Sequence, residues 1–279
     1  MYSPHKLSQR GYREWQALLA FVERQFSLCR RYLGWEIVFL FYTIVNTLTI
    51  AFIAVGMQAQ GHSVDQSYIF YLVIGALMWG FLGIIFREVS DSVSWERWEG
   101  TIEQTFMAPV QRLTHLGGVC AFAVLYGLLR TVLVLGAVIL IFGVSMPHAN
   151  YAGALLVLGV SSLSFVGLGL MAAVLPLLSP EKGVQATHIM EGLLLLVSGI
   201  YYPVSALPHW LQGFSVLSPA TFALEGVRAA LLKGATVTEL LPVMLRLLLM
   251  AGGLIPLGLL VFHLGEQHAK RAGLLKRNG

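Results

Sequence analysis

Long apolar runs separated by short polar stretches dominate the chain from residue 35 onward. Six runs are predicted to be membrane-spanning helices, at residues 35–57, 69–86, 116–144, 153–178, 189–202 and 243–264. About 20 apolar residues are needed to cross a bilayer, and a helix satisfies its own backbone polar groups in lipid. The alternation of apolar and polar residues that is typical of a membrane β-barrel is absent. The predicted fold class is therefore an all-α integral membrane protein with six transmembrane helices.

The first 34 residues follow a different pattern. In the stretch "YREWQALLAFVERQFSLCRRYL", apolar residues recur near the helical period and charged residues occupy the remaining positions. We predict an amphipathic helix that lies at the membrane interface next to the first span; a plain cytosolic helix is the alternative. Because residues 1–34 contain no short apolar core with a cleavage site, no cleavable signal peptide is expected.

Composition supports the membrane assignment. Of the 279 residues, 57% are hydrophobic and only 11% are charged, whereas soluble domains carry about 25% charged residues. So few charges could not cover an aqueous surface. The net charge of +4 comes from bases beside apolar runs, which favours a membrane over nucleic acid as the partner. Cys29 and Cys120 form no CxxC pattern, so neither a metal site nor a disulfide framework is predicted.

Lysine and arginine are distributed unevenly around the predicted spans. Fourteen of them lie before the first span, in the loops after the second and fourth spans, and in the basic tail 265–279. The opposite loops hold only Arg228 and Lys233. Positive charge is retained on the cytoplasmic side of membrane proteins. We therefore predict a multi-pass membrane protein with both termini in the cytoplasm.

Residues 203–242 are apolar enough to raise the alternative of a seventh span. A seventh span would place the basic tail outside the cell, and Pro219, Glu225 and Arg228 would lie in its middle. We favour a re-entrant or surface-lying pair of helices that is protected within the protein. The permease domain is then predicted to occupy residues 35–264.

The loop after the second span contains "SWERWEGTIEQTFMAPVQR", which is charged and bears two tryptophans. A helix over residues 94–109 would end at Pro109 and could bend at Gly100. On that helix one arc contains Trp95, Trp98, Ile102 and Phe106, and an acidic ridge beside it contains Glu96, Glu99 and Glu103. The arc needs a membrane surface or a cytosolic partner to cover it, and the ridge favours a basic partner. A solvated loop helix is the alternative.

Two stretches resemble the ABC exporter permeases of the type-2 family. The first, "ERWEGTIEQTFMAPVQR", resembles their cytoplasmic signature at Glu96, Arg97, Gly100, Thr101, Glu103, Pro109, Val110 and Arg112. The second, "SGIYYPVSALPHWLQGFSVLSPATFALEGVR", resembles their exit-side turn at Ser198, Gly199, Pro203, Leu207, Pro208, Trp210, Pro219, Phe222 and Arg228. Together, in this order, the two motifs extend the resemblance over nearly the whole chain.

The resemblance implies a homodimer or heterodimer of six-span permeases, each bound to a cytosolic ATPase that holds ATP and Mg²⁺. It implies that residues 94–109 are the coupling helix, with contacts from Trp95, Glu96, Arg97, Trp98, Glu99, Gly100, Thr101, Glu103 and Phe106. It also implies that residues 203–242 cap the exit. The sequence agrees with this division, since it contains no phosphate-binding GxxxxGK[ST] loop and no catalytic or metal-binding motif. No cofactor, metal or catalytic residue is predicted in the chain itself.

The resemblance also directs attention to polar and aromatic residues in spans one, two and five, which face the substrate path in the family. These residues are Tyr42, Asn46, Trp79, Tyr201 and Tyr202; packing or an interfacial aromatic belt is the alternative. Arg130 lies near the middle of span three. Intramembrane charges usually face a bundle interior and find partners, so a structural contact between helices is favoured over a substrate contact.

The predicted function is the permease subunit of an ATP-driven exporter in a bacterial-type inner membrane, which moves an amphipathic drug-like molecule or lipid out of the cytoplasm or inner leaflet. The predicted partners are the ATPase, a second permease and membrane lipids, without nucleic acid. Export of a polysaccharide or glycolipid is the alternative within the class. An ion-coupled carrier or intramembrane enzyme is the alternative outside it. A carrier is disfavoured because spans two, three, four and six have no acid in their interiors.

Overall fold

The computed structural model describes residues 4–59, 66–142 and 148–274, and all regular structure in these ranges is helical. The α-helices are α1 (Pro4–Arg31), α2 (Leu33–Ala59), α3 (Gln66–Glu99), α4 (Ile102–Met107), α5 (Arg112–Phe142), α6 (Tyr151–Ala172), α7 (Val174–Leu178), α8 (Pro180–Val197), α9 (His209–Ser215), α10 (Pro219–Lys233) and α11 (Val237–Arg271). A short 3-10 helix, Val204–Ala206, precedes α9.

Five helical segments of the described chain are long and apolar enough to cross a membrane. They are Leu33–Met57, Tyr68–Glu99, Arg112–Phe142, Tyr151–Leu178 and Val237–Arg271. They overlap predicted spans one, two, three, four and six, although the second and the last of these segments are longer than predicted. The all-helical membrane class is therefore confirmed. Predicted span five falls on α8, which has 18 residues and carries charge in its first half, so it is not among the five. The count of six stays a prediction.

Local sequence explains where several helices begin and end. Pro176 cannot continue the i to i−4 ladder and would crowd the carbonyl of Ala172, so α6 ends there and α7 starts after Ala173. The helices α8 and α10 both begin on a proline, a residue whose fixed φ suits the first helical position. The long helix α11 opens on a capping box formed by Thr236 and Glu239.

The centre of the bundle is formed by α3 and α6. In the most apolar stretch of α3, 72% of the residues are buried, and in that of the α6–α7 segment 61% are buried. The corresponding share in α2, α5 and α11 is only 17% to 22%. Phe81 and Phe165 meet edge to face in this core, with ring centroids 6.2 Å apart. The helices α2, α5 and α11 therefore present broad apolar faces to whatever surrounds a single copy of the chain.

Residues 203–242 form short helices rather than a further long one. The 15 residues of α10 rise about 22 Å, which is less than the hydrocarbon thickness of a bilayer. One face of α10 is buried, with Ala223 and Leu224 in the main core cluster. Arg228 donates to the carbonyl of Ile200 at 2.7 Å and lies over the ring of Tyr71. These contacts hold α10 against α3; a re-entrant position in the membrane stays a prediction.

The helices α6 and α11 pack closely against each other. A Cβ built on Gly258 would collide with the carbonyl oxygen of Gly167, and one on Gly167 would collide with the backbone of Leu254. The hydroxyl of Ser164 donates to the carbonyl of Leu247 at 2.9 Å in the same interface. Small residues at such a crossing let two backbones approach closely within a membrane.

Replacing Gly258 with leucine is expected to destabilise the α6–α11 pair by about 1–3 kcal/mol, the usual cost of overpacking. The matched control is Gly253→Leu in the same helix, because a Cβ there meets nothing within 4 Å. Thermal unfolding in detergent, followed by size exclusion with fluorescence detection, measures both. Equal unfolding temperatures for the two variants would contradict close packing at Gly258.

Candidate coupling site

The sequence pattern predicted a helix over residues 94–109. The structure instead divides this segment between two helices. The helix α3 runs on to Glu99, Gly100 takes a φ of +74°, and α4 starts at Ile102. The N–H of Thr101 donates to the carbonyl of Glu96 at 2.9 Å, and the N–H of Gly100 to that of Arg97 at 3.2 Å. This is a Schellman helix end, which favours glycine at the left-handed position. The predicted bend at Gly100 is thus a complete helix break.

Glu96 points into the protein. Its side chain is 3% exposed, and its carboxylate accepts from Arg24 Nη1 and His115 Nε2, both at 3.1 Å. Arg24 belongs to α1 and His115 to α5, so the carboxylate joins three helices. A buried carboxylate without such partners would be strongly destabilising. The contact to Arg24 explains why a charged position of α1 faces the bundle.

Arg97 is also buried, at 7% exposure. Its guanidinium donates to the carbonyls of Leu177 and, at 3.4 Å, Pro176 at the end of α7. It also donates to the carbonyl of Leu274, which follows α11. Helix ends leave carbonyls without intrahelical partners, and one arginine here serves two such ends. The tip of α3 is thereby tied to α7 and α11.

Arg112 holds α4 against the bundle from the other side. Its Nη1 donates to the carbonyl of Thr105 at 2.9 Å, and its Nε donates to Glu266 at 3.2 Å. Glu266 is buried and also accepts from Lys270 at 2.6 Å. Sequence reasoning missed Glu266, although an acid after a long apolar run that is followed by bases was a visible signal.

The exposed part of this segment is smaller than the predicted arc and ridge. Trp98 is 74% exposed and Trp95 is 48% exposed, with ring centroids 5.9 Å apart. Glu99 and Glu103 are exposed, and Met107 is 78% exposed. We name the surface made by these five residues the docking patch. It has two carboxylates and no basic side chain of its own.

The other residues of the predicted arc and of the predicted coupling set lie outside this patch. Ile102 is buried in the main core cluster, because the break at Gly100 turns α4 away from the line of α3. Thr101 is partly buried at the start of α4, and the side chain of Phe106 lies outside the described residues. The arc therefore divides, with its tryptophans outside and Ile102 inside. Binding of an ATPase to any of these residues stays a prediction.

A second polar contact joins α3 to α8, at the same end of the bundle. Arg87 Nη1 donates to Glu191 Oε1 at 2.7 Å, and the hydroxyls of Ser90 and Thr187 lie 3.0 Å apart. The side chain of Glu191 is 4% exposed, and its carboxylate is paired with Arg87. Movement of the tip of α3 would therefore be passed to α8 as well.

Arg130 lies in α5 and links that helix to α2. Its Nη1 donates to the Tyr126 hydroxyl at 3.0 Å in α5, and its Nη2 donates to Thr43 Oγ1 at 2.9 Å in α2. The Tyr126 hydroxyl in turn donates to Glu36. The geometry provides the contact between helices that the sequence favoured. A role for Arg130 in substrate binding stays untested.

The five predicted path residues are not brought together within one chain. Tyr42 and Asn46 are exposed on α2, whereas Trp79 and Tyr201 pack against the main core cluster. The Tyr202 hydroxyl donates to the carbonyl of Leu196 at 2.6 Å. None of the five lines the cavity among α3, α5, α6 and α10 that is described below, and none lines the small cavity beside Arg130. Their assignment to a substrate path stays a prediction.

Within the residues that the structure describes, no group of three or more histidine, cysteine, aspartate or glutamate side chains is arranged to hold a metal ion. The buried carboxylates of Glu96 and Glu266 are paired with arginine, lysine or histidine, whereas those of Glu99 and Glu103 are exposed. The chemistry available here is ion pairing and surface recognition.

The chain is similar to a family of membrane transporters and to individual permeases. The model of the ABC-2 type transporter family matches residues 16–232. The inner membrane transport permease YadH of Escherichia coli K12 is 26% identical over 187 residues, which cover 66% of this chain and 72% of that protein. The linearmycin resistance permease protein LnrN of Bacillus subtilis 168 is 28% identical over 101 residues, or 36% of this chain and 26% of that protein.

Proposed function

The chain belongs to the ABC-2 type transporter family as a permease subunit, and from this premise we propose that it exports an amphipathic molecule when a separate ATPase drives it. The observation that carries the proposal is the family match over residues 16–232. The transport permease YadH, similar over 72% of its own length, supports an inner-membrane setting.

The docking patch is the proposed ATPase contact. Its exposed tryptophans offer apolar area, and Glu99 and Glu103 offer negative charge to a basic groove. Glu96 and Arg97 take a different role from the one the motif implies, because both are buried and bonded within the chain. They hold the patch in position instead of touching the partner.

The proposed mechanism is mechanical coupling through α3. This helix has 34 residues, so it rises about 51 Å without a break from the opposite end of the bundle to the docking patch. Movement of the ATPase would displace the tip of α3, and the contacts of Glu96, Arg97 and Glu191 would carry that displacement to α1, α7 and α8. The chain performs no covalent step; ATP binding and hydrolysis on the partner shift the population of two conformations.

An amphipathic cargo suits a chain with so few charges. Moving a highly charged solute through a mainly apolar path would require its desolvation without compensation. The relative LnrN is by its name a linearmycin resistance permease, which supports a drug-like cargo. Export of a glycolipid or polysaccharide is the second candidate. The broad exposed face of α2, with Tyr42 and Asn46 on it, suits a path formed between two copies.

The test is co-purification with a separate ATPase that contains a phosphate-binding loop, sought first among the products of neighbouring genes, followed by reconstitution into vesicles. The expected result is a stable complex whose ATP hydrolysis rises with an amphipathic probe, here rhodamine 6G, and which moves the dye away from the ATPase side. An empty-vesicle control and an ATPase without the permease set the background. Hydrolysis that is indifferent to the permease, or dye movement without ATP, would contradict the proposal.

A further inference from the structure

A cavity of about 300 Å³ lies among α3, α5, α6 and α10, toward the end of the bundle where α6 begins. Its walls include Met78, Gly136, Ile139, Leu155, Leu158 and Leu231. The volume is at the lower end of the range found for small-molecule sites, about 300–1,000 Å³. It belongs neither to the coupling site nor to the proposed path, since no residue of α2 or α8 lines it.

The helix α5 separates this cavity from α2. Val134 and Val138 on one face of α5 pack with Ala51 of α2 in a small core cluster. Leu135 and Gly136 line the cavity. Leu77 and Leu135 line the cavity and also take part in this cluster, so the cavity adjoins the α2 contact, although no residue of α2 lines it.

Water is a poor occupant for this cavity. Thr131 supplies a hydroxyl among the lining residues, but that hydroxyl already donates to the carbonyl of Gly127 at 2.8 Å. The second lining hydroxyl belongs to Tyr151, at the outer rim. A buried water needs two to four polar partners, and apolar cavities without them stay dry. An apolar occupant therefore suits the space better than water does.

The opening of the cavity faces the bilayer. Val132 of α5 and Leu155 of α6 both line it, and they are 46% and 43% exposed. Both helices belong to segments long and apolar enough to span a membrane, so the gap between them opens onto hydrocarbon. The lining on α5 extends from Ile139 to Thr131, which is about 12 Å of helix rise. An acyl chain can enter such a slot lengthwise.

The rim of the cavity carries groups that suit a phospholipid headgroup. Tyr151 is 42% exposed at the start of α6, and tyrosines are enriched at the level of the headgroups. Asn150 bonds to the carbonyls of Ala230 and Ala235, which holds this corner against the end of α10. Lys233 is exposed there, and no carboxylate of the described chain lies within 4.0 Å of its ammonium.

We propose that this cavity holds one acyl chain of a membrane phospholipid, with the lipid phosphate beside Lys233 and Tyr151. The bound chain fills the space among α3, α5 and α6 and so becomes part of the packed bundle. The proposal depends on the membrane setting alone, and it stands or falls separately from the ATPase partner, the cargo and the direction of transport.

The test uses phosphatidylglycerol that carries a diazirine midway along one acyl chain, incorporated in nanodiscs with the full chain. Ile74 and Met78 line the cavity but are 0% and 1% exposed, so a lipid can label them only from inside it. Leu140, which is 83% exposed, reports ordinary contact with the bilayer. After photolysis, mass spectrometry of peptides is expected to show labels on Ile74 or Met78 as well as on Leu140.

The matched variants are Gly136→Phe, which fills the cavity, and Gly159→Phe, which does not line it. A Cβ at either glycine meets nothing within 4 Å. Gly136→Phe is expected to lower labelling of Ile74 and Met78 at least about tenfold, because a filled cavity admits no second chain, and to leave Leu140 unchanged. Lys233→Glu is expected to weaken lipid retention in native mass spectrometry. Labelling of Leu140 without Ile74 or Met78 in the unaltered protein would overturn the proposal, as would equal labelling in both glycine variants.

Discussion

Reversal of both exposed carboxylates of the docking patch, in the variant Glu99→Arg with Glu103→Arg, is expected to uncouple the permease from its ATPase. Both side chains are exposed and make no contact that holds the fold, so the chain should still assemble. A basic groove on the partner would meet like charge, which we expect to weaken the complex at least about tenfold. The measurement is ATPase affinity by pull-down, together with ATP hydrolysis in reconstituted vesicles.

The control for this charge reversal is Glu225→Arg, an exposed acid on α10 at a distance in sequence from the patch. It changes the net charge in the same direction but leaves the patch intact. Both proteins should elute alike in size exclusion. Full ATPase stimulation by the doubly reversed variant would show that Glu99 and Glu103 do not face the partner. It would leave the family membership untouched.

Replacement of Arg97 with methionine is expected to lower the free energy of unfolding by about 3 kcal/mol, since hydrogen bonds to charged groups contribute about 1.5–3 kcal/mol. Methionine keeps most of the apolar volume but leaves the carbonyls of Leu177 and Leu274 without their donor. The ends of α7 and α11 should then open. Thermal unfolding and limited proteolysis near residue 274 measure the two effects.

Two further variants sharpen the Arg97 experiment. Arg271→Met removes an exposed arginine at the same end of the molecule and should change the unfolding temperature little. Arg97→Lys keeps the charge but not the planar fork that reaches several carbonyls at once, so an intermediate loss is expected. If Arg97→Met unfolds at the same temperature as Arg271→Met, the guanidinium does not hold these helix ends.

The buried position of Arg97 and Glu96 changes how the motif is understood. The family resemblance implied that both contact the ATPase. In the structure they are the residues that fix the surface, and Trp98, Glu99 and Met107 are the ones that a partner could reach. Loss of transport in a variant of Glu96 would therefore report a displaced patch, even if no ATPase atom touches the carboxylate.

The break at Gly100 was partly predictable. A glycine favours the end of one helix, and a threonine directly after it favours the start of the next helix. The sequence also indicated a bend at Gly100. What the pattern did not show is which carbonyls the Schellman bonds would use, or that Ile102 would then face the core. An argument from helical periodicity assumes that all residues share one helix axis. After a residue with positive φ, such as Gly100, the following residues lie on a different axis and face other directions.

The amino-acid sequence by itself determined that the chain is helical and membrane-embedded, and it located five of the spanning segments. Those properties depend on local composition, because lipid leaves an apolar segment little choice but a helix. The helix α3 nevertheless runs on to Glu99, well beyond the predicted end of span two at residue 86, and α11 extends past both predicted ends of span six. Only the tertiary structure decided which charges are buried. Glu96 and Glu99 are three residues apart on one helix, yet Glu96 meets Arg24 and His115 from distant parts of the chain while Glu99 meets solvent. The burial of a charge depends on partners that packing brings together, and linear spacing does not encode them.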